Sequence, residues 1–411
     1  LLGSLRRIML THSNSVGRSP ATAPIRAELL STEGLEALAE RLAAEQRVLG
    51  RRRRGTPLLA RLLDNGRVLL RAYREIVAAL REPSGISPAA EWLVDNFHIV
   101  EEQLREIRDD LPPAFYRELP KLAGGDYAGL PRIYALAAEF VAHTDSRWNR
   151  ESFARFLLAY QRGAELTIGE LWASAISLRL VLVENLRRLV ARVLERRAAR
   201  AAADSLADAL LGLGQQPPLP PTEAVRRLAA RRLDLPFLVQ LLQRLREQDA
   251  TAAPVLEWLG ERLAAEDRSS DQAVRREHRE QVATHVSVRN VISSMRLLSA
   301  VDWAEFFESV SLVEAELRAE TRVAEMDFAT RDRYRQAVEE LARGCRHAER
   351  EVARRAVARA RSSPPGDAPA AARRADPGYW LISAGRSELE RELGYRVPPR
   401  RWLKRACMRR A

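Results

Sequence analysis

The sequence predicts an all-α protein, a multi-helix bundle or array in two lobes with a flexible basic C-terminal tail. Three observations predict it. Apolar residues recur in steps of three and four over long stretches, the period of one helix face. Strict alternation of apolar and polar residues, which marks a half-buried strand, is nearly absent. Clusters of Pro, Gly and Ser cut the periodic stretches into pieces of helix length. The 411 residues are 46% hydrophobic, too apolar for a wholly disordered chain. No uncharged apolar run reaches the roughly 18 residues that a membrane-spanning helix needs.

Residues 1–30 read as an irregular segment. Ser31 or Thr32 is placed to cap a helix running to 49, with Glu33 in its first turn, where the helix dipole favours an acid. A second helix follows Pro57 and runs to Leu80. Pro88 opens a third, which continues to Asp110 and stops at Pro112-Pro113. Glycines at 124, 125 and 129 mark a loop, and helices follow to Val141 and over 151–162. Thr167 and Glu170 have the spacing of a capping box. They open the longest pattern, 168–208, carried by Trp172, Ile176, Leu180, Val183, Leu186, Val190 and Leu194.

The prolines of 212–221 form the clearest break. Further helical patterns cover 222–232, 235–247, 253–265, 270–296, 303–325 and 329–361. The Ala/Pro/Arg-rich run 362–377 reads as a flexible linker, and 387–393 as a last short helix. The predicted organisation is therefore an irregular segment (1–30), a first helical lobe (31–211), a Pro-rich linker (212–221), a second lobe (222–361), a linker (362–377) and a basic segment (378–411).

The formal net charge is +12. Arg400, Arg401, Lys404, Arg405, Arg409 and Arg410 place half of it in one short tail, and Arg51 to Arg54 form a second block. Elsewhere Arg and Glu alternate at helical spacing, as on a solvated helix face. The tail matches the basic cytoplasmic flank of a membrane span. A nucleic-acid module is the rival reading, but no interleaved aromatics, zinc finger or helix-turn-helix accompanies the charge, so nucleic acid is not the expected partner. The near-absence of Lys, with only Lys121 and Lys404, reflects in part a bias toward Arg. Two cysteines, Cys345 and Cys407, suit reduced thiols and neither a disulfide framework nor a four-thiolate zinc site. The chain begins without Met and stops in a basic run, as a piece of a longer polypeptide would.

Polar residues within the predicted helices are the candidates for a site. Glu91, Asp95, His98, Glu102, Arg105, Asp109 and Asp110 crowd the third helix, and Asp95, His98 and Glu102 share one stripe. A buried network tying helices together is the expectation. A helical-bundle metal or enzyme site is the alternative, although the paired Glu-x-x-His motifs of such sites are missing. His143, Asp145 and Arg147 lie in one loop, too close together for a catalytic triad. Arg179, Glu184 and Asn185 interrupt the apolar face of the longest helix, and Arg179 must reach water or pair with an acid. Arg289 and Asn290 are further interhelical candidates. Trp92, Trp172 and Trp303 read as core, whereas Trp148 and Trp380 lie nearer loops and are the better candidates for stacking on a sugar. No glycine-rich phosphate loop occurs. The sequence assigns no catalytic residue and no metal ligand.

Several blocks together resemble one family. They are PIRAELLS (24–31), EWLVDNFHIVEEQLREIRDDLP (91–112), FYRELPKL (115–122), GLPRIYALAAEFVAHTDSRW (129–148), LTIGELWASAISLRLVLVENLRRL (166–189) and RREHREQVATHVSVRNVISSMRLLSAVDWAEFFESVSLVE (275–314). The chain resembles the N-terminal region of bacterial cyclic β-1,2-glucan synthases over about residues 24 to 397. The resemblance implies a segment of a large inner-membrane enzyme, on its cytoplasmic face, that polymerises glucose from UDP-glucose with a divalent metal. It implies transmembrane and glycosyltransferase domains of the same polypeptide as partners, with β-1,2-glucan and anionic lipid as further ones, and no cofactor within this region. It also makes 378–400 the approach to a membrane span. The family's glycosyltransferase motifs are missing. There is no Asp-x-Asp, and Arg147-Trp148 and Arg401-Trp402 are preceded by Thr144 and Pro398 where Gln would complete Gln-x-x-Arg-Trp. The expectation is a helical scaffold that is inactive by itself.

Overall fold

A computed structural model describes residues 23–49, 58–80, 86–110, 113–213, 217–230, 233–246, 252–265, 269–319, 321–362 and 369–396. Among these residues the protein is all-α, without a strand; two isolated antiparallel bridges join Val48 to Leu122 and Lys121 to Pro131. The first helices are α1 (Thr32–Glu45), α2 (Leu58–Ala79), α3 (Pro88–Asp95), α4 (Phe97–Asp110), α5 (Pro113–Glu118), α6 (Arg132–His143) and α7 (Arg150–Gln161). The long α8 (Ile168–Leu211) leads to α9 (Pro221–Ala229), α10 (Leu235–Arg246), α11 (Ala253–Ala265) and α12 (Ser270–Ser299). The remainder is α13 (Trp303–Val310), α14 (Leu312–Arg318), α15 (Phe328–Gly344), α16 (Glu349–Arg361), α17 (Pro369–Arg374), α18 (Pro377–Ile382) and α19 (Arg386–Glu392).

Three patterns that read as single helices are split. Asn96 separates α3 from α4, and its side chain donates to the Trp92 carbonyl at 2.9 Å. Ser311 ends α13 and caps α14, its hydroxyl accepting from Glu314 N. Cys345, in extended backbone, ends α15 before α16. The expected capping box is present: the Thr167 hydroxyl accepts from Glu170 N at 3.2 Å, and the Glu170 carboxylate accepts from Thr167 N at 3.0 Å.

α8 spans 44 residues, about 66 Å at the helical rise. It packs against α2, α4, α6, α10 and α12. Its apolar residues enter two separate clusters. The larger draws on Leu35 to Val193 and again on Val288 to Leu393. The smaller draws on Ala203 to Ala273, and both sides of the Pro-rich segment contribute to it through Leu210 and Leu219. α12 makes the same crossing in reverse, from Ala273 in the smaller cluster to Val288 and Leu298 in the larger. Two long helices therefore bridge two cores.

Candidate functional site: the polar seam of the long helix

The N-terminal half of α8 is apolar on most of its circumference, so a polar side chain buried along the helix must find a partner inside the protein. Glu170, Arg179, Glu184, Asn185 and, further along, Arg196 are all buried, and between them they bind α2, α4, α6, α12 and the segment before α1. Near the N-terminus, Arg132 of α6 clasps Glu170 bidentately at 2.8 and 2.6 Å and donates to the Glu165 carbonyl at 2.8 Å. Its guanidinium also lies 5.7 Å from the Tyr160 ring centroid. Two turns on, Arg179 pairs with Glu106 at 2.9 Å and donates to Gln103 Oε1 at 3.1 Å and to the Leu298 carbonyl at 3.3 Å. That one side chain ties α8 to α4 and α12.

Glu184 accepts two bonds from Arg61 of α2, at 2.6 and 2.7 Å, one from Arg188 at 2.5 Å and one from the Tyr134 hydroxyl at 3.2 Å. Burial raises the carboxyl's pKa, but the two arginines prevail and hold it below the ordinary carboxylate value. Asn185, fully buried, reads the backbone of Ile25 in both directions, at 2.6 and 3.3 Å, and donates to Ser146 Oγ at 2.8 Å. Arg188 donates to the Ala23 carbonyl at 3.0 Å. The segment 23–31 is thereby strapped across α8.

The strap meets the loop after α6 at Asp145. Asp145 and Ser146 both have positive φ, 47° and 62°, the left-handed region that Asp tolerates better than most residues. Asp145 accepts from Arg26 at 3.0 Å, from Asn290 at 3.1 Å and from Ser287. Arg26 also reaches Ser287 and the Ala283 carbonyl on α12. His143 is buried with Nδ1 2.6 Å from the Glu28 carbonyl and Nε2 3.7 Å from Glu139.

The expected stripe on the third helix lies elsewhere. Glu91, Asp95, His98, Glu102, Arg105 and Asp109 are exposed, because α3 and α4 turn their Ala89, Leu93, Val100 and Ile107 face to the core. Asp95, His98 and Glu102 are therefore not a buried network; Gln103 and Glu106 carry that role. Among the described residues no group of three His, Cys, Asp or Glu could hold a metal ion. Arg147 is exposed, and Arg289 lies over the Trp92 ring at 5.6 Å. The tryptophans exchange places with expectation. Trp148 and Trp380 are 9% and 7% exposed, packed against Trp303 and Tyr379 respectively, so neither offers a face to a sugar. Trp92, Trp172 and Trp303 are half-buried at the edge of the core. The side chain of Asp110, and Arg400, Arg401, Lys404, Arg405, Arg409 and Arg410, lie outside the described residues.

Sequence reasoning missed the most buried cluster. Arg335 of α15 is fully buried, 2.8 Å from Glu314 and 3.1 Å from Glu308, with its guanidinium 5.2 and 4.6 Å from the Phe307 and Phe328 centroids. Arg318 and Arg331 surround the same two acids. The spacing Glu314/Arg318 and Arg331/Arg335 was visible, but it is the spacing of a solvated face as well. Lys121 was also overlooked. It is buried and caps α5, donating to the carbonyls of Tyr116, Arg117 and Leu119 at 2.9 to 3.3 Å, and burial lowers its pKa.

The seam's hydrogen bonds and ion pairs are interhelical ties. No family model matches the chain. A stretch of 343 residues, 82% of the chain, is 38% identical to the cyclic beta-(1,2)-glucan synthase NdvB of Rhizobium meliloti. The chain is homologous to a segment of that synthase. It spans 12% of the synthase's length, so most of the relative lies beyond the aligned stretch. Among the described residues of this chain, no helix is long and apolar enough to cross a membrane.

Proposed function

We propose that the chain is a helical scaffold of a membrane-bound cyclic β-1,2-glucan synthase, one that polymerises glucose from UDP-glucose elsewhere on the same polypeptide. The observation that carries this reading is the homology to the Rhizobium meliloti synthase over most of the helical array. The architecture supports it. Buried ion pairs bind α8 to α2, α4, α6 and α12, and such pairs specify one arrangement of elements more than they add stability. The scaffold sits at the cytoplasmic face of the inner membrane, with the basic tail toward anionic lipid and the transmembrane and glycosyltransferase domains as its neighbours.

A nucleotide sugar held through a divalent metal does not fit the described residues. Of the buried acids, Glu170, Glu184, Glu277 and Glu314 are each engaged by an arginine, which opposes a second cation, and Glu349 accepts from Ile168 N. No step of glycosyl transfer is assigned to this chain.

The test is glucan synthesis from radiolabelled UDP-glucose in membranes, comparing the complete synthase with a version lacking this region at equal membrane abundance. Loss of synthesis is expected. Unchanged yield and ring size would remove the scaffold role.

A further inference from the structure

The two bridging helices cross the gap between the apolar clusters side by side, and they are tied there by charge. Arg196 of α8 donates to Glu277 at 2.6 Å and to Glu280 at 3.0 Å, both on α12. A groove of about 530 Å³ opens at this junction, between α8, α12 and the turn that enters α10. That volume is within the range of small-molecule sites.

We propose that this groove binds a neutral, hydroxyl-rich oligosaccharide. Its charges balance: Arg192, Arg196 and Arg276 face Glu195, Asp234 and Glu280. The arginines are already committed, since Glu280 lies 3.6, 3.0 and 3.2 Å from Arg192, Arg196 and Arg276. The arginines hold the Glu280 carboxyl below its ordinary value against the effect of burial. An incoming anion would have to displace that carboxylate, and an apolar ligand would strand the charges without water.

Hydrogen-bonding capacity is nevertheless unspent. Arg192 and Arg276 are exposed at the groove, and each guanidinium turned to Glu280 keeps further N–H groups to donate. The carboxylates of Glu195 and Asp234 engage no partner among the described residues, leaving acceptors at the mouth of the groove. Leu233, Leu235 and Pro236 supply an aliphatic wall. Paired planar donors and acceptors beside an apolar wall suit a sugar ring, which presents vicinal hydroxyls at its edge and C–H groups on its face. That the sugar is β-1,2-linked glucose rests on the function proposed above; the chemistry of the groove does not.

Calorimetric titration of the chain with β-1,2-linked glucooligosaccharides, β-1,4-linked ones and inorganic phosphate tests this. Asp234→Asn and Glu195→Gln alter exposed carboxylates, and their melting temperatures verify the fold. Saturable binding of the β-1,2-linked chains, weakened about tenfold by either substitution and unaltered by Glu388→Gln on the distant α19, is expected. Absence of binding to every oligosaccharide, binding insensitive to both substitutions, or binding of phosphate in place of sugar would overturn the groove. Binding of the β-1,4-linked chains alone would uphold the groove and overturn the assignment of its ligand to β-1,2-glucan.

Discussion

Arg335 shows what a buried charge demands of its surroundings. It has lost its water entirely and sits between two aromatic rings and two carboxylates. Arg335→Ala leaves Glu308 and Glu314 with Arg318 and Arg331 alone, and a loss of about 3 kcal/mol in a urea titration is expected, the lower end for breaking a buried pair. Glu184 gives the pH dependence. Its folded pKa is below the unfolded value, so its contribution is complete above the ordinary carboxylate range and is lost as pH falls through the folded value. Melting temperature should therefore decline below about pH 4.5, and Glu184→Gln should flatten that decline. At this scale the sequence exposed Arg179, Glu184 and Asn185, because each interrupts an apolar run. It concealed Arg335 and Arg196, because an arginine among glutamates at helical spacing reads as solvated until the partner helix is placed.

Helix starts were legible at Ser31 and Thr167, where a side chain makes the cap just after an irregular stretch. The interruptions at Asn96 and Ser311 were not, since one residue out of register barely disturbs a period of 3.6. α8 ends at Gly212, with φ 65°, where an added Cβ would also meet Pro218 Cγ at 3.0 Å. Gly212→Ala should cost about 1–3 kcal/mol, seen as a lower melting temperature. Gly378 tests a close approach instead. A Cβ there would lie 2.0 Å from the Tyr334 hydroxyl, which donates to Asp376 at 2.9 Å. Gly378→Ala should displace Tyr334, raising amide exchange in α15 and α18 while leaving α1 unchanged.

Across the whole molecule, the all-α class follows from periodicity, but the partition of the core does not. α8 and α12 each serve two clusters, and no break in their own patterns announces it. The smaller cluster should open as a unit. Phe237→Ala, at a fully buried position within it, should cost about 3–5 kcal/mol and accelerate exchange in α9, α10 and α11 without altering α6 or α7. If the chain is a scaffold, the spine must be continuous between its cores. Ala198, exposed on α8 between the clusters, is the place to interrupt it, because a proline there breaks the helix at about 3 kcal/mol. The most direct measurement is the yield and ring size of glucan made from radiolabelled UDP-glucose by membranes carrying Ala198→Pro in the complete synthase at normal abundance. A loss of tenfold or more relative to the unaltered enzyme is predicted. Unchanged yield and ring size would contradict the account.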